Sequence, residues 1–222
     1  MNWEDEGYLL TKKKFRENAI IINVFTQNYG KVSGIVYGGT SRKIKNYLQI
    51  GNKIFVIHNS KNRNKLGYLK TEIIEAISPR YFNDKKRSFV LLSITQLLNS
   101  LLPEEEKYQN IYISLDNLMK NLENKNWPII YSFWEVNLIK ELGFGFKTDK
   151  TNLSKDIMSI KIDNVVYKVP KFIINEEIPE SFTNETVNLA LSFTRNLLLN
   201  KFYLPNNLFL PKSRVVFENC FS

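Results

Sequence analysis

The side chains able to do covalent or metal chemistry are few in this chain and poorly spaced for it. Its 222 residues hold one histidine, His58, and one cysteine, Cys220. A histidine serving as general base needs an orienting acid or a nucleophile beside it, and the sequence around His58 supplies almost no carboxylate. His58 is therefore expected to be an ordinary strand residue. One histidine and one cysteine cannot build a zinc cage, and Cys220 has no intrachain disulfide partner. Glu104, Glu105 and Glu106 follow Pro103 consecutively, which is a helix-start pattern and not the spaced carboxylate cluster of a metal-dependent nuclease. No catalytic residue, cofactor or metal ligand is expected. An enzyme of nucleic-acid metabolism would have to assemble its site from carboxylates scattered over the C-terminal two-thirds.

Phosphate recognition is better supplied. In Gly38-Gly39-Thr40-Ser41-Arg42-Lys43-Ile44-Lys45 two glycines permit close backbone approach, hydroxyls can donate, and three cations follow. The spacing is not that of a P-loop, so nucleotide hydrolysis is unsupported and phosphate binding is the expectation. A solvated hairpin connection is the plainer alternative. Lys12-Lys13-Lys14 and Arg16 lie in or beside the first strand, where alternation sends Lys12 and Lys14 to one face and Lys13 to the other. Lysines on an edge strand also block aberrant pairing. The residues expected to contact nucleic acid are Lys12, Lys14, Arg16, Lys31, Arg42, Lys43, Lys45, Arg63 and Lys65. Tyr29, Tyr37, Tyr47, Phe55 and Tyr68 are interleaved with them and can stack on bases, or else belong to the core.

These cations share one region. Between Leu9 and Lys70 there are thirteen Lys and Arg against a single acid, Glu17. Residues 1–80 hold 14 basic and 6 acidic residues, a balance of +8, whereas residues 81–222 hold 17 and 16, a balance of +1. The overall charge of +9 thus belongs almost wholly to the first third. A one-signed field of this kind calls for a polyanion, and nucleic-acid backbone is the expected partner.

The elements that must position the cations are short strands. Residues 8–15, 19–26, 31–37, 53–59 and 67–76 are rich in β-favouring side chains and are separated by Gly- and Asn-containing turns. Five strands in so short a span fit a small closed barrel. The OB barrel, which binds oligonucleotides on one face, is the expectation, with an SH3-like barrel compatible with the same pattern. After Pro79 the period becomes helical. Helices are expected over 85–102, from Pro103, over 110–123, over 127–142 with a stop at Gly143, over 184–202, and over 212–219. Residues 165–169 and 172–174 read as a hairpin or as loops. The fold class expected is α+β: a barrel domain over 1–79 and a mainly helical domain over 80–222. No apolar run of about 18 residues is present to span a bilayer, and no secretory leader is apparent, so a cytoplasmic protein is expected.

Several segments together resemble the RecO family of bacterial DNA-repair proteins. Trp3-Glu4-Asp5-Glu6-Gly7-Tyr8-Leu9-Leu10 is similar to the family's acidic start. Val24-Phe25-Thr26-Gln27-Asn28-Tyr29-Gly30 resembles its Leu-Phe-Thr-x-x-x-Gly signature. Gly38-Gly39-Thr40-Ser41-Arg42, followed by Leu48-Gln49-Ile50-Gly51-Asn52, is similar to its basic loop and Leu-Gln-Pro segment, with Ile50 in place of the proline. Glu141-Leu142-Gly143-Phe144-Gly145 and Leu210-Pro211-Lys212-Ser213-Arg214 match later elements, so the similarity is collinear along nearly the whole chain.

The resemblance implies an N-terminal OB domain, a helical C-terminal domain and a recombination mediator that is not an enzyme. Such a mediator binds single- and double-stranded DNA, anneals complementary strands, and works with RecR to load RecA onto DNA coated by single-strand-binding protein (SSB). It implies a nucleoid-associated bacterial protein that docks the acidic SSB tail on its helical domain, for which Lys140, Lys147, Arg195 and Lys201 are cations at hand. Many members carry a Cys-based zinc site after the Leu-Gly-Phe-Gly turn. Residues 147–171 here contain no cysteine, so no zinc is expected. An RNA-binding accessory protein of translation or transcription, using the same barrel, is the alternative.

Overall fold

In the computed structural model the described residues are 2–60, 66–145 and 157–222. They form two compact units, Met1–Tyr112 and Ile113–Ser222. The first is built on five strands, β1 (Asn2–Arg16), β2 (Ala19–Thr26), β3 (Gly30–Tyr37), β4 (Lys53–Asn59) and β5 (Gly67–Glu75). They close in the order β1-β2-β3-β5-β4, with β4 returning to pair antiparallel with β1 and a short parallel contact between β3 and β5. This is the OB arrangement. Alternate residues fill it: Leu9, Ile20, Ile22, Val24, Val32, Val36, Ile54, Val56 and Leu69 form one core cluster, as the period of two along a strand requires.

β1 starts earlier than the sequence pattern predicts, because its acidic opening is accommodated in the ladder. Asn2 to Tyr8 pair with Lys53 to Asn59. Asp5, nearly buried, accepts from the Asn28 backbone N–H at 2.7 Å and so holds the β2–β3 turn. Glu6 pairs with Lys53 at 2.6 Å. The basic loop also contains an element that the sequence pattern does not reveal. Residues Arg42–Tyr47 form a short helix, α1, with Ser41 as its N-cap. Ile44 and Tyr47 pack against the barrel core and Leu48 is fully enclosed. The plain hairpin connection is thereby excluded. α1 seals the end of the barrel between β3 and β4.

The first unit continues beyond residue 79. α2 (Lys85–Leu101) starts at its cap Asp84, which accepts from the Arg87 N–H. Its end is tied to the barrel: Asn99 accepts from Asn23 at 2.7 Å, and the Lys31 amine donates to the Asn99 carbonyl at 2.8 Å. The helix expected from Pro103 does not form. β3 meets β5 only at Gly34 and Ile35, which leaves the start of β3 as an open edge. The chain at Glu104 uses it instead, making a parallel bridge with Lys31, and Glu105 donates to the Lys31 carbonyl at 2.9 Å. An edge with free donors and acceptors outcompetes a helix start. The next helix, α3 (Gln109–Lys120), begins later.

The second unit is mainly helical, with α4 (Trp127–Ile139), α5 (Lys171–Asn175), α6 (Asn184–Leu198) and α7 (Lys212–Glu218) around the hairpin β6 (Ile157–Ile162) and β7 (Val165–Pro170). α4 runs into a wide turn in which Gly143 takes φ 93°, close to the expected stop. Val165–Pro170 does pair, but with the preceding segment and not with 172–174, which is helical. The hairpin turn sits on Asp163 and Asn164 at positive φ, residues that tolerate the left-handed region.

Candidate nucleic-acid interface

At the end of the barrel sealed by α1, Lys12, Lys13, Lys14 and Lys45 line a cleft of about 430 Å³ together with Glu17, Ile20, Gly39, Thr40 and Leu48. The register explains how Lys12 and Lys14 come together, while Lys13, opposite Ile21 on the other face as alternation predicts, still borders the cleft. Lys12 is opposite Ile22 and Lys14 opposite Ile20, so both lysines stand on the inward side of β1 at the barrel's mouth, where α1 supplies the opposite wall. Gly38 takes φ 69°, and a Cβ on Gly39 would lie 2.5 Å from Ile20 Cγ1. The Gly-Gly turn is therefore needed for close approach to β2 as well as for backbone reversal.

The Lys12 amine donates to the Leu48 carbonyl at 2.6 Å and lies 3.4 Å from Gln49 Oε1. Burial lowers its pKa below the ordinary amine value, and the neighbouring Lys45 charge lowers it further. The four lysines outnumber the one acid of the cleft, Glu17, and leave a positive potential that a phosphate relieves.

The other candidate cations divide three ways. Arg42 and Lys43 are exposed on α1, the helix that carries Lys45. Arg16 lies at the end of β1, its guanidinium 5.1 Å from the Phe15 ring centre, on the outer side of the barrel. Lys31 is withdrawn: it is 8% exposed, its amine is committed to the Asn99 carbonyl, and burial lowers its pKa against the opposing pull of Glu104. Lys31 holds the end of α2 on β3 and does not face solvent with the rest. Arg63 and Lys65 lie outside the described residues.

The aromatic candidates also separate. Tyr29 stacks on Trp3 with ring centres 4.1 Å apart, and His58 stacks on Trp3 at 4.7 Å. The Tyr47 hydroxyl donates to the Thr71 carbonyl while its ring backs the core. Phe55 is half-buried. Tyr37 and Tyr68 are exposed and face each other with ring centres 5.2 Å apart.

Two residues act as anchors in a way not read from the sequence. Asn52 is fully buried. Its Oδ1 accepts from the Ile77 and Ser78 N–H groups at 2.9 and 3.0 Å, and its Nδ2 donates to the Tyr47 carbonyl at 2.9 Å. It joins α1 to the exit of β5. In the second unit, Arg214 on α7 is completely buried. It pairs through Nε and Nη2 with Glu135 of α4, through Nη1 with Glu218 at 2.9 Å, and with the Leu191 carbonyl of α6 at 2.7 Å. Among the cations at hand for an acidic peptide, Lys140 pairs with Glu176, Arg195 with Glu218 and Lys201 with Asp163, while Lys147 is outside the described residues. Among the described residues, no three of His, Cys, Asp and Glu converge as metal ligands, and no helix is long and apolar enough to cross a membrane.

Comparison with known proteins extends over both units. Residues 1–77 match the family described as recombination protein O N terminal, and residues 83–159 the family described as recombination protein O C terminal. The chain is 31% identical over 172 residues to the DNA repair protein RecO of Roseobacter denitrificans, covering 77% of this chain and 69% of that one. It is 29% identical over 224 residues to the DNA repair protein RecO of Rickettsia canadensis, covering 93% and 91%. The DNA repair protein RecO of Wolbachia pipientis is 31% identical over 175 residues, covering 77% and 69%.

Proposed function

The chain belongs to the RecO family, and from that membership together with the lysine cleft we propose that it is a DNA-repair and recombination mediator acting through binding and strand annealing. The observation that carries the proposal is the meeting of Lys12, Lys13, Lys14 and Lys45 around one cleft of a closed barrel. Arg42 and Lys43 extend the same positive surface along α1. Phosphates laid against these groups release their condensed counterions, so the binding free energy is largely electrostatic and falls with salt. Neutralising two complementary strands on one surface weakens their mutual repulsion and lets bases meet. No bond is broken in this scheme, and no cofactor or metal takes part.

In this role the protein binds single- and double-stranded DNA in the bacterial cytoplasm. It engages RecR and the acidic tail of SSB, and helps place RecA on SSB-coated strands. The test is direct. At moderate ionic strength the protein should bind a single-stranded oligonucleotide and accelerate annealing of its complement, including when both strands carry SSB. Absence of both activities refutes the proposal. Preference for RNA over DNA of equal sequence, with no capture of RecR or SSB, would move the barrel to the RNA-binding alternative.

A further inference from the structure

The outer face of the barrel is only half covered within its own unit. Because Ile20, Ile22 and Val24 of β2 and Val32 and Val36 of β3 belong to the core, the intervening residues form the outer face. At one end of that face Asn23 bonds to Asn99, Ser33 to Glu104 and Lys31 to the Asn99 carbonyl. The segment around the end of α2 therefore occupies it. Among the described residues the other end is open. Tyr37 and Tyr68 stand there 54% and 46% exposed, their ring centres 5.2 Å apart and tilted 36° to one another. Arg16, Ala19 and Tyr37 occupy one cross-strand row of β1, β2 and β3. Phe15, also exposed, lies beneath the Arg16 guanidinium.

Two tyrosines that stand half in water against one another are not accounted for by burial in the core. Tyr29 and Tyr47 have apolar or stacked surroundings on the same barrel, and these two do not share them. We propose that Tyr37 and Tyr68, with Arg16, form a base-stacking platform for single-stranded nucleic acid, distinct from the phosphate-binding cleft. This deepens the DNA-binding reading and rests on it. An unpaired base offers its flat face to a tyrosine ring, and a guanidinium in the same row neutralises the adjoining phosphate or covers the base. A duplex keeps its base faces internally stacked and cannot use such a platform. The platform thus discriminates between strand states, while the cleft serves any phosphate backbone.

The experiment compares the full chain with Tyr37→Ala, Tyr68→Ala and Tyr37→Phe on three ligands: oligothymidylate of about 16 nucleotides, an abasic strand of equal length, and a duplex. Each alanine variant should bind oligothymidylate about tenfold more weakly, with affinity for the abasic strand and the duplex unchanged and the salt slope retained. Tyr37→Phe should keep most of the affinity, since the ring remains. Equal losses on all three ligands, or no loss on oligothymidylate, would overturn the platform while leaving electrostatic binding in place. Wild-type protein that binds none of the ligands would overturn the DNA-binding reading itself, and the platform with it. Thermal melting of each variant separates these outcomes from misfolding: unchanged melting is required, and loss of binding only in a variant that melts early counts against the platform.

Discussion

Lys12 shows how one side chain can be both a structural donor and a charge reservoir. Its amine holds the carbonyl of Leu48 at the end of α1, and burial followed by the Lys45 charge lowers its pKa from 10.5. In the window between the lowered value and 10.5 the unfolded chain binds more protons than the folded one. Lys12 therefore makes stability rise with pH there. Binding has the opposite sign. A phosphate entering among Lys12, Lys13, Lys14, Lys45 and Glu17 favours the protonated amine, so the complex takes up a proton and affinity falls as pH climbs through that window. Titrations with oligodeoxyadenylate, whose bases do not ionise there, should show weakening as pH rises through that window towards 10.5. Lys12→Gln should bind less tightly at neutral pH and lose part of that slope. An identical slope in the variant would remove Lys12 from the phosphate site. The buried acid Asp5 makes a related point: a residue that reads as solvent-facing charge is the anchor of the β2–β3 turn.

Among the elements, strands were the most legible. β2 and β4 follow from β-favouring side chains set between turn residues, and α2 from helical spacing; the caps of α2 and α6, Asp84 and Thr183, come from the structure. α1 was not legible, because six residues with three cations carry too little periodicity to be told from a loop. Its helical form depends on Ile44 and Tyr47 finding the open end of a barrel. The α4, α6 and α7 helices depend on a polar tie. Arg214 sits without exposure between them; burial works against its charge, and the Glu135 carboxylate more than restores it, so its pKa is raised. Tyr131 and Thr194 also donate to Glu135. Glu135→Leu leaves a buried guanidinium without its main partner and should destabilise the second unit by about 3–5 kcal/mol. Urea unfolding followed by the buried Trp127 and Trp134 measures it. The double variant Glu135→Leu, Arg214→Met should recover most of the loss, since apolar groups of similar size need no counter-charge. A single variant as stable as the parent would show that the tie is dispensable.

For the whole molecule, the charge asymmetry sets the behaviour in salt. If Arg42, Lys43 and Lys45 each neutralise one phosphate, replacing all three with alanine lowers the slope of log affinity against log salt by about 2 for single strands. Binding titrations over a range of potassium chloride concentrations provide the measurement, and an unchanged slope would exclude α1 from the interface. Composition sufficed to place a positive field on the first third of the chain, and periodicity sufficed to lay out a five-stranded barrel ahead of helices, because both are properties of neighbouring residues. Which cations stand near one another was decided by folding. Lys12 and Lys45 meet because barrel closure and strand register bring β1 against α1, whereas Lys31 is withdrawn from solvent because its amine is bound to the Asn99 carbonyl at the end of α2. Local pattern carries no information about such long-range contacts, and a lysine's role depends on them.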